Sequence, residues 1–482
     1  MSHRSFRDFL AVSEQQGLLR RVRKSVDKTW EPAAMAKWAF QALPNDERFG
    51  LLFDDVEGSD FPLVIGALGA STHSYALGLG VPTEEMTDKW INALLNPIAP
   101  EVVETAPCQE VIKTGDEVKL SDLPIPHWTP GKDAAPYITT ITVTKNADTG
   151  HQNMGVYRTM VKDDTHVLAN ISPGRHGFMQ ASTYLDKGKP APIAWVVGTD
   201  PAIHYATVAN MPFDVEEVNV AGGLKGAPIE LVKCQTSDLL VPANAEIIIE
   251  GEVLPGEFGD EGPFGEFAGY MGSVAPKPLA RIKAITHRKD AIYYGYTSQM
   301  PPSESTVLQS LSNAPLLMKI LTHDFAESSV KDVFIDLTFG GLLAHCIVAM
   351  TPRHDGHAKR IGRLIADMSP VKRVTIVDED IDIRDPLHIE WAMNSHYNPV
   401  RDTIIIDDVY FPMGMDPSVR VDPSNIEFGS KVVIDATQTI NAGVISLPAQ
   451  DIMDRALESW EEAGLPKFDI PKRAKLRIKS AS

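Results

Sequence analysis

The chain has 482 residues, 43% apolar and 23% charged, the make-up of an ordinary globular protein, which excludes wholesale disorder, collagen-like repeats and coiled coil. Its 45 basic residues stand against 64 acidic ones, a formal net charge of −19, so a dedicated nucleic-acid-binding face is not expected. The length suggests two or three domains.

The three cysteines, Cys108, Cys234 and Cys346, form no C-x-x-C pair. That argues against a disulfide framework or a cysteine-based zinc site and fits a reducing compartment. The first eight residues are polar and lack the apolar core of a signal peptide. The longest apolar stretch, near residues 341–350, is too short for a membrane span. The expectation is a soluble, cytoplasmic protein without a membrane or nucleic-acid partner.

The first hundred residues alternate helix and strand. Phe6, Phe9 and Leu10 have helical spacing, and Gly17 is a plausible stop. Residues 31–43 carry Pro32 in a first-turn position, and residues 84–95 repeat the amphipathic pattern. Short apolar runs at 50–53 and 62–65 predict strands. From about Val111 to Gln299 the texture becomes short β-branched runs between Gly, Pro, Asn and Asp, among them 137–144, 193–197, 246–250 and 291–296. That pattern predicts a sheet closed or folded on itself, a barrel or sandwich. Residues 305–321 predict a helix that links two domains. Strand and helix then alternate at 333–337, 344–350, 357–368, 373–377 and 387–393, a compact α/β domain. Strands at 401–411 and 431–436 flank a Pro/Gly-rich loop, and residues 449–464 predict an amphipathic helix that docks on a neighbour or a partner subunit.

There is no phosphate loop, no G-x-G-x-x-G after a strand, no G-x-S-x-G elbow and no H-E-x-x-H. Any site must be assembled from distant segments. The richest stretch is residues 257–270, with four acids and four glycines. Glu261 and Glu266 lie across a Gly262-Pro263 turn, where a cation would hold one ionised and an apolar wall such as Phe264 or Phe267 would keep the other protonated. By itself the segment reads more plainly as a solvated acidic hairpin loop. In Asn153-Met-Gly-Val-Tyr-Arg158, strand alternation puts Asn153, Gly155 and Tyr157 on one face and Arg158 on the other. An arginine on a strand is by itself a surface residue. In Asn170-Ile-Ser-Pro-Gly-Arg-His-Gly177, a polar turn could cradle a phosphate, although an ordinary polar loop has the same composition. His176 alone reads as a structural histidine. Glu217 and Lys431 are unremarkable in isolation.

Taken together, these segments resemble the UbiD-type decarboxylases, which use prenylated FMN. The resemblance runs through essentially the whole chain in order. Glu261-Gly-Pro-Phe-Gly-Glu266 is similar to the family's acidic loop, and Asn153-x-Gly-x-Tyr-Arg158 to its cofactor-contacting strand. Glu217, thirteen residues before Glu230, matches the metal-binding segment, and Lys431-Val-Val-Ile-Asp435 the late strand with a cofactor-contacting lysine.

The resemblance implies an α+β fold. A split β-barrel prenyl-FMN-binding domain (111–304) would follow an N-terminal α/β segment (1–110). A linker helix (305–322), an α/β oligomerisation domain (323–445) and a C-terminal helix and tail (446–482) would complete it. It further implies that Asn153, His176 and Glu217 hold Mn²⁺ or Mg²⁺ against the cofactor phosphate, a hard ligand set, with K⁺ a possible companion. Val156, Tyr157, Arg158, Asn170, Ile171, Ser172 and Arg175 would line the flavin, and Lys431 would contact it. Arg158, Glu261 and Glu266 would form the catalytic network, with Glu266 the proton donor.

The implied activity is a carboxy-lyase reaction: reversible, non-oxidative decarboxylation of an aromatic, heteroaromatic or α,β-unsaturated acid. CO₂ leaving an sp² carbon needs an electron sink that no side chain supplies. Arg175, Tyr157 and Phe267 stand where the cinnamic acid decarboxylase branch has glutamine, a small residue and methionine, which points to other ring substrates. Pocket candidates are Phe267, residues 300–305, Leu308 and residues 438–443. A flavin prenyltransferase would supply the cofactor, and a homodimer or hexamer is implied. The competing readings are a carboxylase in vivo, a catalytically idle flavin-binding subunit and a flavin oxidoreductase.

Overall fold

The computed structural model describes residues 5–337, 345–410, 418–421, 427–438 and 446–468. The chain packs as two units, the first taking residues up to Leu316 and the second residues 317–336 and those from 345 onward.

The first unit begins with helix Phe6–Gln15, whose Ser5 side chain accepts from the Asp8 N–H and so caps an otherwise orphaned donor. Its Phe6, Phe9 and Leu10 are buried, as the helical spacing predicts. Strands Leu19–Val22, Gly50–Phe53 and Leu63–Ile65 form a small sheet that is completed by the distant strand Tyr293–Gly295. Likewise Glu101–Val103 pairs in parallel with Glu230–Lys233. The segment 1–110 is therefore hydrogen-bonded into the unit that carries the larger sheet.

That larger sheet has nine strands and is centred on a long antiparallel pair, Ile247–Glu261 and Ala275–His287. Its eight-strand path ends in Tyr137–Ile138 on one side and Gln152–Val156 on the other, and Val111–Thr114 pairs off that path with Ala275–His287. The hydrogen-bonded path is open, not a closed barrel. The predicted strand 137–144 is broken into Tyr137–Ile138 and Ile141–Lys145, which pair with different neighbours. Residues 257–261, read above as loop, instead extend the long strand to Glu261. Pairing lapses between Val253 and Phe258, then resumes from Phe258↔Pro278 to Glu261↔Ala275. Sheet geometry thus reaches into the acidic segment and fixes where its carboxylates point.

Helix Glu304–Lys319 follows, close to the predicted linker, and the two units part within it. In the second unit's six-stranded sheet, five strands lie in the order Val330–Ile335, His345–Met350, Arg373–Asp378, Glu427–Ala436, Thr403–Tyr410, and Arg420–Val421 pairs off that path with Glu427–Ala436. The parallel pair His345–Met350 and Arg373–Asp378 is joined by helix His357–Met368, a crossover that buries Ile361 and Ile365. The C-terminal helix Gln450–Glu462 buries none of its residues. Among the described residues no helix is long and apolar enough to cross a membrane.

Candidate active site

The site grows from the junction of strands Gln152–Val156 and Thr159–Val161. Tyr157 and Arg158 lie between those strands, so simple alternation does not set their directions; the surroundings do. Arg158 is held by its neighbours in sequence and space, since its carbonyl accepts from the Asn170 N–H at 3.1 Å.

The Arg158 guanidinium donates to Glu261 through Nε at 2.8 Å and Nη2 at 3.0 Å. Its Nη1 donates to Glu266 Oε1. The Glu261 side chain is fully buried, and those of Arg158 and Glu266 are 12% and 10% exposed. A buried carboxylate is stable only when paired and hydrogen-bonded, and the arginine fork meets that need at two points. The plain surface reading of Arg158 therefore fails, and the solvated-loop reading fails for Glu261 and Glu266, whereas Glu257 and Asp260 are exposed. The fork is also stacked: its carbon lies 5.1 Å from the centre of the Phe264 ring, a cation–π contact. Tyr137 packs against Phe264 with ring centres 4.4 Å apart, and burial raises its hydroxyl pKa, as does the nearby Glu261 charge.

Room for Glu266 comes from glycine. A Cβ at Gly272 would stand 2.6 Å from Glu266 Oε1. Phe264–Gly265 pairs with Met271–Gly272 in a short ladder, which fixes the turn that carries Glu266.

A second group of predicted residues gathers round Tyr157. Its hydroxyl accepts from the Gly177 N–H at 3.2 Å, and its ring lies 2.8 Å from where a Gly155 Cβ would be. Burial raises its pKa, while the Gly177 N–H opposes that by hydrogen bonding and Glu217 adds a like charge. Asn153 is buried, and among the described residues its Nδ2 has no hydrogen-bond partner. Glu217 opens helix Glu217–Lys225 and is 5% exposed, with Oε2 accepting from the Met154 N–H at 2.9 Å. Burial pushes its carboxyl up to about 7. Among the described residues no cation pairs with it. His176 opens helix His176–Leu185, half-buried against the edge of Phe213, and burial and Arg175 lower its pKa. A buried carboxylate and a buried amide are oxygen-donor types that suit a hard divalent cation.

The segment 170–175 bridges the two groups. Ile171 is buried, Ser172 donates to Asn170 Oδ1 at 3.0 Å, and the Arg175 N–H closes a turn on the Ser172 carbonyl. Val156 is half-buried at the end of its strand. Lys431 belongs to the second unit, where its ammonium donates to the carbonyls of Ala366 and Ser369 at 2.6 and 2.7 Å. It closes the C-terminal end of helix His357–Met368, as a cation there should.

Of the pocket candidates, Phe267 is half-buried next to Glu266, and Met300 is exposed beside the Gly269 turn. Leu308 is instead core, packed on Gly69, and Glu304 is wholly buried and accepts from the Leu68 and Gly69 N–H groups. Residues 439–443 lie outside the described residues. The sequence reading did not single out Tyr137 or Lys277. No local motif marks either one. A hairpin register extended through Glu261 was the signal that would have found Lys277.

Comparison with known proteins bears on the same segments. Residues 10–94, 101–301 and 306–436 match, in order, the 3-octaprenyl-4-hydroxybenzoate carboxy-lyase N-terminal, Rift-related and C-terminal domains. The UbiD-class enzyme HmfF from Pelotomaculum thermopropionicum in complex with FMN is 34% identical, with a TM-score of 0.82 over 94% of this chain and 99% of that one. An evolved dimeric form of HmfF in complex with prFMN is 34% identical, with a TM-score of 0.80 over 93% of this chain and 98% of that one. The vanillic acid decarboxylase of Sedimentibacter hydroxybenzoicus in closed form is 26% identical, with a TM-score of 0.84 over 96% of this chain and all (100%) of that one. The three domains follow one another along the chain, and the chain belongs to the UbiD family of carboxy-lyases.

Proposed function

We propose that this protein is a prenylated-FMN-dependent, reversible, non-oxidative decarboxylase of an aromatic, heteroaromatic or α,β-unsaturated carboxylic acid. The observation that carries this reading is the buried arginine held between two glutamates, Arg158 with Glu261 and Glu266. Family membership and the flavin complexes of HmfF support the cofactor assignment.

When bound, the cofactor supplies the electron sink that decarboxylation at an sp² carbon requires. The chain supplies the rest. Glu261 takes two of the five guanidinium N–H groups of Arg158 and Glu266 a third, so two remain to orient the substrate carboxylate. Glu261 fixes the plane of the fork. Glu266, on its short turn, delivers a proton to the carbon that CO₂ vacates, and the same oxygen accepts it back in the reverse direction. Phe264 and Tyr137 wall the pair from water and strengthen each charge interaction inside. Asn153, His176 and Glu217 would hold a divalent cation, and Tyr157 with the 170–175 turn would line the flavin. Lys431 serves the second unit as a helix cap.

The test is to produce the protein with and without a co-expressed flavin prenyltransferase. Released cofactor is identified by mass, and each preparation is offered aryl, heteroaryl and acrylic acids. Prenylated FMN and CO₂ release confined to the co-expressed sample is the expected result. CO₂ release without the prenylated cofactor, or turnover that requires NAD(P)H, overturns the reading.

A further inference from the structure

The carboxylate site holds a second cation. Lys277 lies on the strand opposite the one that ends in Glu261. The register sets Gly259 against Lys277 and Glu261 against Ala275. Glu261 and Lys277 are therefore diagonal neighbours on one face, a spacing that a long side chain spans. Directly opposite Lys277 stands a glycine, which offers no competing side chain.

The ammonium of Lys277 donates to the Ser172 hydroxyl at 3.3 Å. Among the described residues it forms no ion pair. Other partly buried lysines are satisfied differently: Lys28 donates to the Ser121 and Leu123 carbonyls at 3.0 Å each. Lys431 is held by two carbonyls at 2.6 and 2.7 Å. A half-buried ammonium with three donors and a single long bond to a neutral hydroxyl is short of an acceptor. Burial lowers its pKa; Glu261 draws it back up and Arg158 adds to the lowering, so its charge is felt at the pair.

Charge balance says what the missing acceptor is. Arg158 is already matched by Glu261, even with Glu266 protonated. An incoming carboxylate finds two free N–H groups there but no surplus positive charge. Lys277 supplies that surplus on the Arg158–Glu261 side, whereas Asn153, Glu217 and Gly177 surround Tyr157 instead.

We infer that Lys277 is a positioning residue for substrate, an ammonium that binds the carboxylate of the incoming acid while Arg158 sets its orientation. This deepens the decarboxylase reading and rests on it. Lysine provides the charge and arginine the plane, two roles that these side chains divide by their geometry.

The experiment uses the flavin-loaded enzyme and three probes, benzoate, 2-furoate and cinnamate, with dissociation constants from calorimetry at neutral pH. K277M is expected to weaken binding of the acids that the wild type binds by at least about tenfold, the worth of one charge-assisted hydrogen bond. K277R is expected to restore most of it, and flavin occupancy and melting temperature are expected to stay at wild-type values. K277Q serves in place of K277M if the latter does not fold. Unchanged acid affinity in the neutral variant overturns the inference alone. Loss of flavin with acid affinity kept assigns the ammonium to the cofactor and also overturns it. A wild type that binds none of the three acids sinks the decarboxylase reading together with the inference.

Discussion

Arg158 and Glu261 meet along two parallel hydrogen bonds, of 2.8 and 3.0 Å, with the carboxylate fully buried. The pair spans 103 residues of sequence and joins one edge of the large sheet to its central hairpin. Lysine keeps the charge but not the fork. R158K should lower kcat/KM by at least about a hundredfold, the loss of two charge-assisted bonds of about 1.5–3 kcal/mol each, and should lower the melting temperature as well. Turnover at the wild-type level would refute the role of the fork.

Glu266 depends on the absence of a side chain at Gly272, where a Cβ would stand 2.6 Å from its Oε1. G272A should push the carboxyl aside without disturbing the core, since the atom displaced is the tip of a side chain. A displacement of about 1 Å at a reacting group costs up to about a hundredfold in rate. The expected outcome is a drop in kcat with melting temperature and flavin content kept. E266Q should abolish turnover, also with flavin kept. A fully active E266Q would remove Glu266 from the proton-donor role.

Glu304 gives the fold a pH dependence of its own. It is wholly buried, and burial pushes its carboxyl up to about 7 from 4.5. The folded chain thus binds more protons at this site than the unfolded chain between those values. Its contribution to stability is complete below about 4.5 and is lost as pH rises through about 7. An amide in its place can still accept from the Leu68 and Gly69 N–H groups. E304Q is expected to melt higher than wild type above pH 7, with the difference closing towards pH 4.5. Parallel curves for the two proteins across this range would count against it.

Glu217 is raised to about 7 by burial, with no cation paired to it among the described residues. A bound divalent ion would reverse that penalty, because it favours the ionised carboxylate. Mn²⁺ should therefore raise the melting temperature of the wild type at pH 7, and E217A should lose this response and retain less flavin. A manganese response of the same size in E217A would exclude Glu217 from the metal set.

Much of the chain was legible in its sequence. Helix His357–Met368 starts and ends where its pattern predicts, and strand Gly50–Phe53 likewise. Both are short, and their apolar period is set within a few residues. The acidic segment was harder. Asp260 and Glu261 look like part of a solvated loop because composition does not reveal that the neighbouring strand pairs with them at Pro276 and Ala275. Leu308, a pocket candidate by position, is core because Gly69 leaves a hollow for it, and nothing near Leu308 in sequence reports that glycine.

By itself, the sequence determined the order of the motifs, the resemblance they carry and the residue types available for chemistry: an arginine, two glutamates and a mixed Asn/His/Glu set. Tertiary structure alone decided which charges are buried and which meet. It brought Arg158 between Glu261 and Glu266, placed Lys277 beside them and gave Lys431 to a helix end. The reason is physical. Local periodicity fixes which face a side chain takes, but the identity of its neighbour depends on strand register and sheet order, which are settled by packing across the whole unit.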